Sequence, residues 1–170
     1  RKEPNALCVG CHELKGAKLA GAHKGAPLEQ TKCLGCHDPH FADRSGLLAS
    51  NRHLPFLNGD CAGCHAEPAA GKIALATKAS GVELCQSCHN DVVKKAEGQA
   101  AAHAPVKKGQ CLSCHDPHAS KNDRLARRTG GELCLGCHAS VKKALGEKDV
   151  HAPVRQGECL KCHDAHGSGE

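Results

Sequence analysis

His103-Ala-Pro-Val-Lys-Lys-Gly-Gln-Cys111-Leu-Ser-Cys114-His115-Asp-Pro-His118 is the stretch from which the fold can be read. At its centre is a Cys-x-x-Cys-His pentapeptide, Cys111 to His115. His103 stands eight residues before the first cysteine, and His118 three residues after the motif histidine. Cys-x-x-Cys-His is the attachment signature of c-type haem. Two thiols three positions apart reach the two vinyl groups on one porphyrin edge. The next residue presents an imidazole to the iron as axial ligand.

The chain of 170 residues holds seven such motifs. Their cysteines are Cys8 and Cys11, Cys33 and Cys36, Cys61 and Cys64, Cys85 and Cys88, Cys111 and Cys114, Cys134 and Cys137, and Cys159 and Cys162. Their histidines are His12, His37, His65, His89, His115, His138 and His163. All 14 cysteines are used. Zinc would combine Cys-x-x-Cys pairs two at a time, and seven is odd. Zinc also does not need His after every second Cys. With 14 His in the chain, that coincidence seven times over is about one in 10⁷ to 10⁸. Disulfides across such short loops close little chain and stabilise little. Seven haem c groups are the expectation.

Composition agrees. There are two Phe and no Trp, Tyr or Met, whereas aromatic side chains normally dominate a core. Porphyrins are expected to fill that gap, and the haem-free chain is expected to be largely unfolded. The formal charge of +5 changes sign on loading. Each oxidised bis-imidazole haem adds about −1, which gives about −2 for the loaded protein and about −9 when fully reduced. The basic pairs Lys94-Lys95, Lys107-Lys108, Arg127-Arg128 and Lys142-Lys143 are expected to balance propionates. No nucleic acid is expected, since no aromatics interleave the basic residues. Nor is a membrane span, since no 18-residue apolar run occurs. The chain reads as a processed, exported form.

One heptahaem domain over 1–170 is expected, built of tandem units. Residues 5–46 hold haems one and two. Residues 47–82 hold haem three and a linker over 69–82. Residues 83–130 hold haems four and five, and 131–170 haems six and seven. Glu-Leu-Cys134 repeats Glu-Leu-Cys85, Val141-Lys-Lys-Ala repeats Val93-Lys-Lys-Ala, and His151-Ala-Pro-Val repeats His103-Ala-Pro-Val, as in a linear array. The fold class is mainly irregular with short α-helices: two-haem units wrapped around a chain of haems. Helices are expected over Glu13–Gly21 and, capped by Asn90 or Asp91, over Val92–Ala102. Pro27, Pro55, Pro105 and Pro153 are expected to hold the chain extended on its approach to iron. Phe41 and Phe56 are expected to pack on haem edges.

Beyond the motif histidines, seven remain: His23, His40, His53, His103, His118, His151 and His166. Seven haems need seven distal ligands, so supply equals demand. Without Met, His/Met ligation, which raises the potential, is excluded. All seven haems are read as bis-His and of low potential.

Chain reach limits the pairing. Three residues give His118 at most about 10 Å of backbone from His115, too little to pass round the porphyrin. His103 has up to about 26 Å before Cys111. If each unit closes on itself, His103 serves haem five and His118 haem four. On the same assumption His151 serves haem seven and His166 haem six, His23 haem two, His40 haem one and His53 haem three.

His-Ala-Pro-Val before the second motif and Cys-His-Asp-Pro-His at its end resemble the doubled-motif family of multihaem cytochromes c. The resemblance covers residues 5–46, 83–123 and 131–168. It implies electron transfer in anaerobic respiration, with no enzyme activity. The resemblance does not name the partners; other redox proteins, such as multihaem cytochromes and membrane quinol-linked complexes, or extracellular electron acceptors are expected. Covalent haem attachment takes place outside the cytoplasmic membrane, so the periplasm is the expected location, with the cell exterior as the alternative. A multihaem reductase would need an open iron position, and no haem here lacks a candidate distal ligand. A third reading is self-association into a wire, a cytochrome filament. There a histidine crosses a subunit boundary, with His166 the expected donor and haem one the acceptor.

Overall fold

Each Cys-x-x-Cys-His folds back on the carbonyl of its first cysteine. The N–H groups of His12, His37, His65, His115, His138 and His163 donate to the carbonyls of Cys8, Cys33, Cys61, Cys111, Cys134 and Cys159, at 2.9–3.0 Å. The second cysteine's N–H adds a bond to the same oxygen, at 3.1–3.2 Å. The pentapeptide is therefore one tight turn with both thiols and the imidazole fixed to it. The computed structural model that shows this describes residues 3–40, 42, 45–66 and 76–169.

The turn is entered in two ways. Motifs one, four and six are entered by a helix: α1 (Pro4–Cys8), α4 (Val82–Glu97) and α6 (Gly130–Leu135). Motifs two, three, five and seven begin as 3₁₀ turns at Cys33–Gly35, Cys61–Gly63, Cys111–Ser113 and Cys159–Lys161. The remaining helices are α2 (Ala17–Ala22), α3 (Leu54–Asn58), α5 (Ala104–Lys107), α7 (Ala139–Ala144) and α8 (Ala152–Arg155). The mainly irregular class with short helices is what the chain has.

Local details correct the expectations. The helix placed at Val92–Ala102 starts instead at Val82, runs through motif four and ends at Glu97. The motif is itself a helical turn, so the entering helix continues into it and bends only at His89 (φ −110°, ψ 36°). The helix placed at Glu13–Gly21 is the shorter α2. Pro55, Pro105 and Pro153 do not extend the chain. They sit in the first turn of α3, α5 and α8, where a proline costs no hydrogen bond. The upstream histidines His53, His103 and His151 stand just before those helices, with ψ of 136°, 130° and 130°. Within the linker placed at 69–82, Ala76 accepts from Ala66 N–H and Lys78 N–H donates to Cys64. That part closes a loop on motif three. Phe41 and residues 69–75 lie outside the described residues.

The same loop recurs after motif two, where Asp38 N–H donates to Leu47 and Ala49 N–H to Cys36, each at 2.8 Å. Doubled motifs are held together close to the chain. Asn5 donates to the Thr31 carbonyl at 2.6 Å and accepts from Cys33 N–H at 3.2 Å, joining α1 to motif two. Gly109 (φ +64°) lies against the start of α4, and Gly157 (φ +71°) against the start of α6. A Cβ on Gly109 would meet Val82 N at 2.6 Å, and one on Gly131 would meet Gly157 Cα at 2.7 Å.

Two compact units result, Arg1–Ser80 with Asp116–Leu125, and Gly81–His115 with Ala126–Glu170. In the first, β1 (Asn51–Arg52) pairs antiparallel with β3 (Ala119–Ser120). In the second, β2 (Ala101–Ala102) pairs with β4 (Gly167–Ser168). Among the described residues the buried apolar side chains are Leu28, Ala49, Ala96 and Ala119, while Leu7, Leu34, Leu54, Leu57, Leu112 and Leu160 are exposed. Four small contributions at about 25 cal/mol per Å² cannot offset the ordering of such a chain.

Candidate functional site

The two strand pairs bring histidines of distant motifs side by side. His53 stands at the end of β1 and His118 just before β3, and His53 N–H donates to the His118 carbonyl at 2.9 Å. His103 and His166 repeat the arrangement beside β2 and β4 at 3.3 Å. The upstream histidine of one motif is thus tied to the tail of a later one.

Side chains complete the device. His53 Nδ1 donates to the Pro117 carbonyl and His103 Nδ1 to the Ala165 carbonyl, each at 3.0 Å. His23 Nδ1 donates to Leu19 at 2.9 Å and His37 Nδ1 to Gly46 at 2.6 Å. A carbonyl only accepts, so the proton sits on Nδ1 and leaves a bare lone pair on Nε2. That is the form a metal-ligating imidazole takes, held in orientation by its outer hydrogen bond.

The tails are shaped by an aspartate two residues ahead of the tail histidine. Asp38, Asp116 and Asp164 accept from the N–H groups of His40, His118 and His166 at 3.0, 3.1 and 2.9 Å. This is the Asx turn available to any Asp two residues ahead of an N–H, and the Asp-x-His spacing was its signal. Lys95 Nζ reaches Asp164 at 2.9 Å and braces the last tail against α4.

Among the described residues, histidine pairs then face one another. Ring centroids are 5.9 Å apart for His23 and His37, 5.9 Å for His65 and His118, 5.9 Å for His103 and His138, and 6.3 Å for His115 and His166. A nitrogen–metal bond of about 2 Å plus about 1.1 Å from nitrogen to ring centre, doubled, gives about 6 Å. The pairs thus have the separation of two imidazoles across one iron. Each joins one motif histidine to one of the others. Among the described residues no group of three or more His, Cys, Asp or Glu converges as a zinc site would require.

These pairs are not those of units closed on themselves. His23 faces His37, the partner that scheme gave it. His118 faces His65 of motif three and not His89. His103 faces His138 of motif six and not His115, and His166 faces His115 of motif five and not His138. The reason is β-pairing, which carries His103 and the tails of motifs five and seven beyond their own units. His166 is thereby also engaged at home, and not the spare donor of a filament. Phe56 packs on the ring of His118, centroids 5.5 Å apart.

Electrostatics favour neutral groups. Burial pulls His118 and His166 below the ordinary histidine value, against the opposing pull of Asp116 and Asp164. Burial raises the thiols of Cys33 and Cys134, and the neighbouring thiols of Cys8 and Cys159 add to it. Burial likewise raises Cys36, with Asp116 adding, and Cys114, with Cys137 and Cys111 adding. All 14 cysteines are free of disulfides, as thioether attachment needs. The first position inside the motif is apolar and exposed at Val9, Leu34, Leu112 and Leu160, where a porphyrin would cover it.

The family model described as "Doubled CXXCH motif" matches residues 26–52, 53–94, 103–143 and 151–170. A curated relative, "Multiheme cytochrome MtrA" of Shewanella baltica (strain OS185), is 31% identical over 176 aligned residues, covering 78% of this chain and 52% of that protein. The chain spans about half the length of that relative.

Proposed function

The chain belongs to the doubled CXXCH motif family of multihaem cytochromes c, and we propose that it passes electrons along seven covalently attached haems, all bis-histidine and of low potential. Haem c, when bound, supplies the one-electron chemistry. The chain would attach it through the motif cysteines and orient it between facing histidines. Cys and His of each motif would hold one haem. His23 and His37 would hold haem two, His65 and His118 haem three, His115 and His166 haem five, and His103 and His138 haem six.

The observation that carries this reading is the set of four imidazole pairs near 6 Å. A haem held between two histidines would leave no position for substrate, which favours transfer over bond chemistry. The absence of Met from the chain favours low potentials. The partners on this reading are other multihaem cytochromes and membrane quinol-linked complexes in anaerobic respiration. The place is the periplasm, since covalent attachment of haem c takes place outside the cytoplasmic membrane. Among the described residues no helix is long and apolar enough to cross a membrane.

Mass measurement and spectra test it. The expected result is seven haems per chain, a wholly low-spin oxidised form, and a reduced form that does not bind carbon monoxide. A high-spin fraction that persists in the native assembly would reject the saturated-wire reading.

A further inference from the structure

The loop that follows motif two holds its backbone in an unfavourable form. Gly46 (φ +78°) and Leu47 (φ +54°) are consecutive residues in the left-handed region, which a leucine adopts only at a cost. Leu47 is exposed, so the packing of its side chain does not hold it there. Its carbonyl and that of Gly46 do. Leu47 accepts from Asp38 N–H at 2.8 Å, and Gly46 accepts from His37 Nδ1 at 2.6 Å. Ala49 N–H closes the loop on Cys36 at 2.8 Å. The strained pair thus lays two successive carbonyls on the motif, one against its backbone and one against its imidazole.

A distance of 2.6 Å is short for a neutral N–H···O bond, which is usually about 2.9–3.0 Å long. Such a bond draws the Nδ1 proton toward the carbonyl and leaves Nε2 more basic, so the ring becomes a stronger ligand. The facing ring does the same, since His23 Nδ1 donates to the Leu19 carbonyl at 2.9 Å. Stronger donation stabilises ferric iron more than ferrous. Hydrogen bonding behind the ligand is one of the levers by which a chain sets a haem potential.

Motif six is built differently. Helix α7 begins at Ala139, directly after His138, and Lys142 N–H donates to the His138 carbonyl at 3.0 Å. The chain after this motif is committed to a helix and returns no carbonyl to the ring. His138 is exposed, and among the described residues its Nδ1 has no acceptor. Its facing partner alone is braced, by the bond from His103 Nδ1 to the Ala165 carbonyl at 3.0 Å. Charge acts in the same direction. Asp38 follows His37 directly, whereas Lys142 and Lys143 lie on α7 behind His138. A carboxylate favours the ferric state and ammonium groups the ferrous.

We propose that the loop over 45–49 is a clasp that sets a potential: Gly46, acting through His37, makes haem two harder to reduce than haem six. Gly46 is a positioning residue, and its carbonyl is the acting group. Haem two would release its electron readily and haem six would retain it. This rests on the bis-histidine reading above.

The test uses the full haem-loaded chain. A Cβ on Gly46 would meet nothing within 4 Å, so only backbone conformation limits what can stand there. Asn adopts positive φ, and the β-branched Val does not. Gly46→Val should raise the reduction constant of haem two about tenfold and leave haem six where it was. It should keep every haem low-spin and speed deuterium exchange of the His37 Nδ1 proton. Gly46→Asn should change neither the potential nor the exchange. Spectroelectrochemical titration reads the potentials. The step of haem two is the one lost when Cys33 and Cys36 are replaced by Ser, and that of haem six the one lost when Cys134 and Cys137 are. In the unaltered protein the step of haem two should lie below that of haem six. The reverse order, or a Gly46→Val variant in which haem two titrates as before, would overturn the inference. A ferric haem two that is high-spin in the unaltered protein would instead overturn the bis-histidine reading beneath it.

Discussion

The imidazole of His118 lies 5.9 Å from that of His65, with the ring planes 9° from parallel, although His118 is only three residues from His115. A short tail thus serves a distant motif. Its position is set by the β1·β3 pair and by Asp116, which holds the His118 N–H at 3.1 Å.

Replacing His118 by Ala is expected to make haem three high-spin and to leave haem five unchanged. Electron paramagnetic resonance of the oxidised protein reads the high-spin signal. Replacing Cys61 and Cys64 as well removes haem three. In that background the His118 change should add no high-spin signal, and one that persists would show that His118 serves another iron.

Much of this site is local chemistry, and local chemistry is legible. The thiols and the imidazole of each motif lie on one turn, so Cys111, Cys114 and His115 declare their role from spacing alone. Reach removes His115 as the partner of His118 and stops there. What selects His65 is the register Arg52–Ala119, a contact between two-residue strands that carry no period to detect. Alanine and serine in Ala119-Ser120 look like linker. The helix through motif four was hidden for a related reason. Glu83-Leu84-Cys85 has neither a capping side chain nor a long apolar stripe, and Gly81 (φ +57°) starts the helix without either.

Gly131→Ala is expected to cost about 1–3 kcal/mol, because the added methyl meets the Gly157 backbone and cannot be accommodated by a rotamer change. Gly21→Ala, in α2 with open space around it, should instead gain about 0.5–1 kcal/mol. Denaturant unfolding of the haem-loaded variants measures both. Equal effects would mean that α6 does not rest on Gly157.

Lys95 and Asp164 make the tail of motif seven sensitive to acid. Hydrogen bonding from Lys95, then from His166 N–H, lowers Asp164 from 3.8 to about 2. The folded state therefore binds fewer protons between those values, and the contribution of the carboxylate is complete above 3.8 and lost as pH falls through about 2. Lys95→Ala should lower stability at neutral pH, with the difference closing toward pH 2. Acid titrations of the two proteins followed by circular dichroism would show this. A difference independent of pH would assign Lys95 a packing role.

Haem-free chain, made by replacing the cysteines, is expected to lack a cooperative unfolding transition. Leu28, Ala49, Ala96 and Ala119 are too little to hold it, and Leu34 and Leu112 face solvent without a porphyrin. Calorimetry decides, and a sharp transition in the haem-free chain would show a core in the polypeptide itself.

The facing of His65 by His118, and of His115 by His166, also imposes an order in time. A chain delivered from its N-terminus presents His65 long before His118 exists on the far side, and His115 before His166. Each of these irons would pass through an interval with one face open, to be closed by a histidine that arrives only with a later motif. Maturation would then advance in one direction, and a truncated chain would leave its last completed sites reactive toward small ligands that the finished protein ignores.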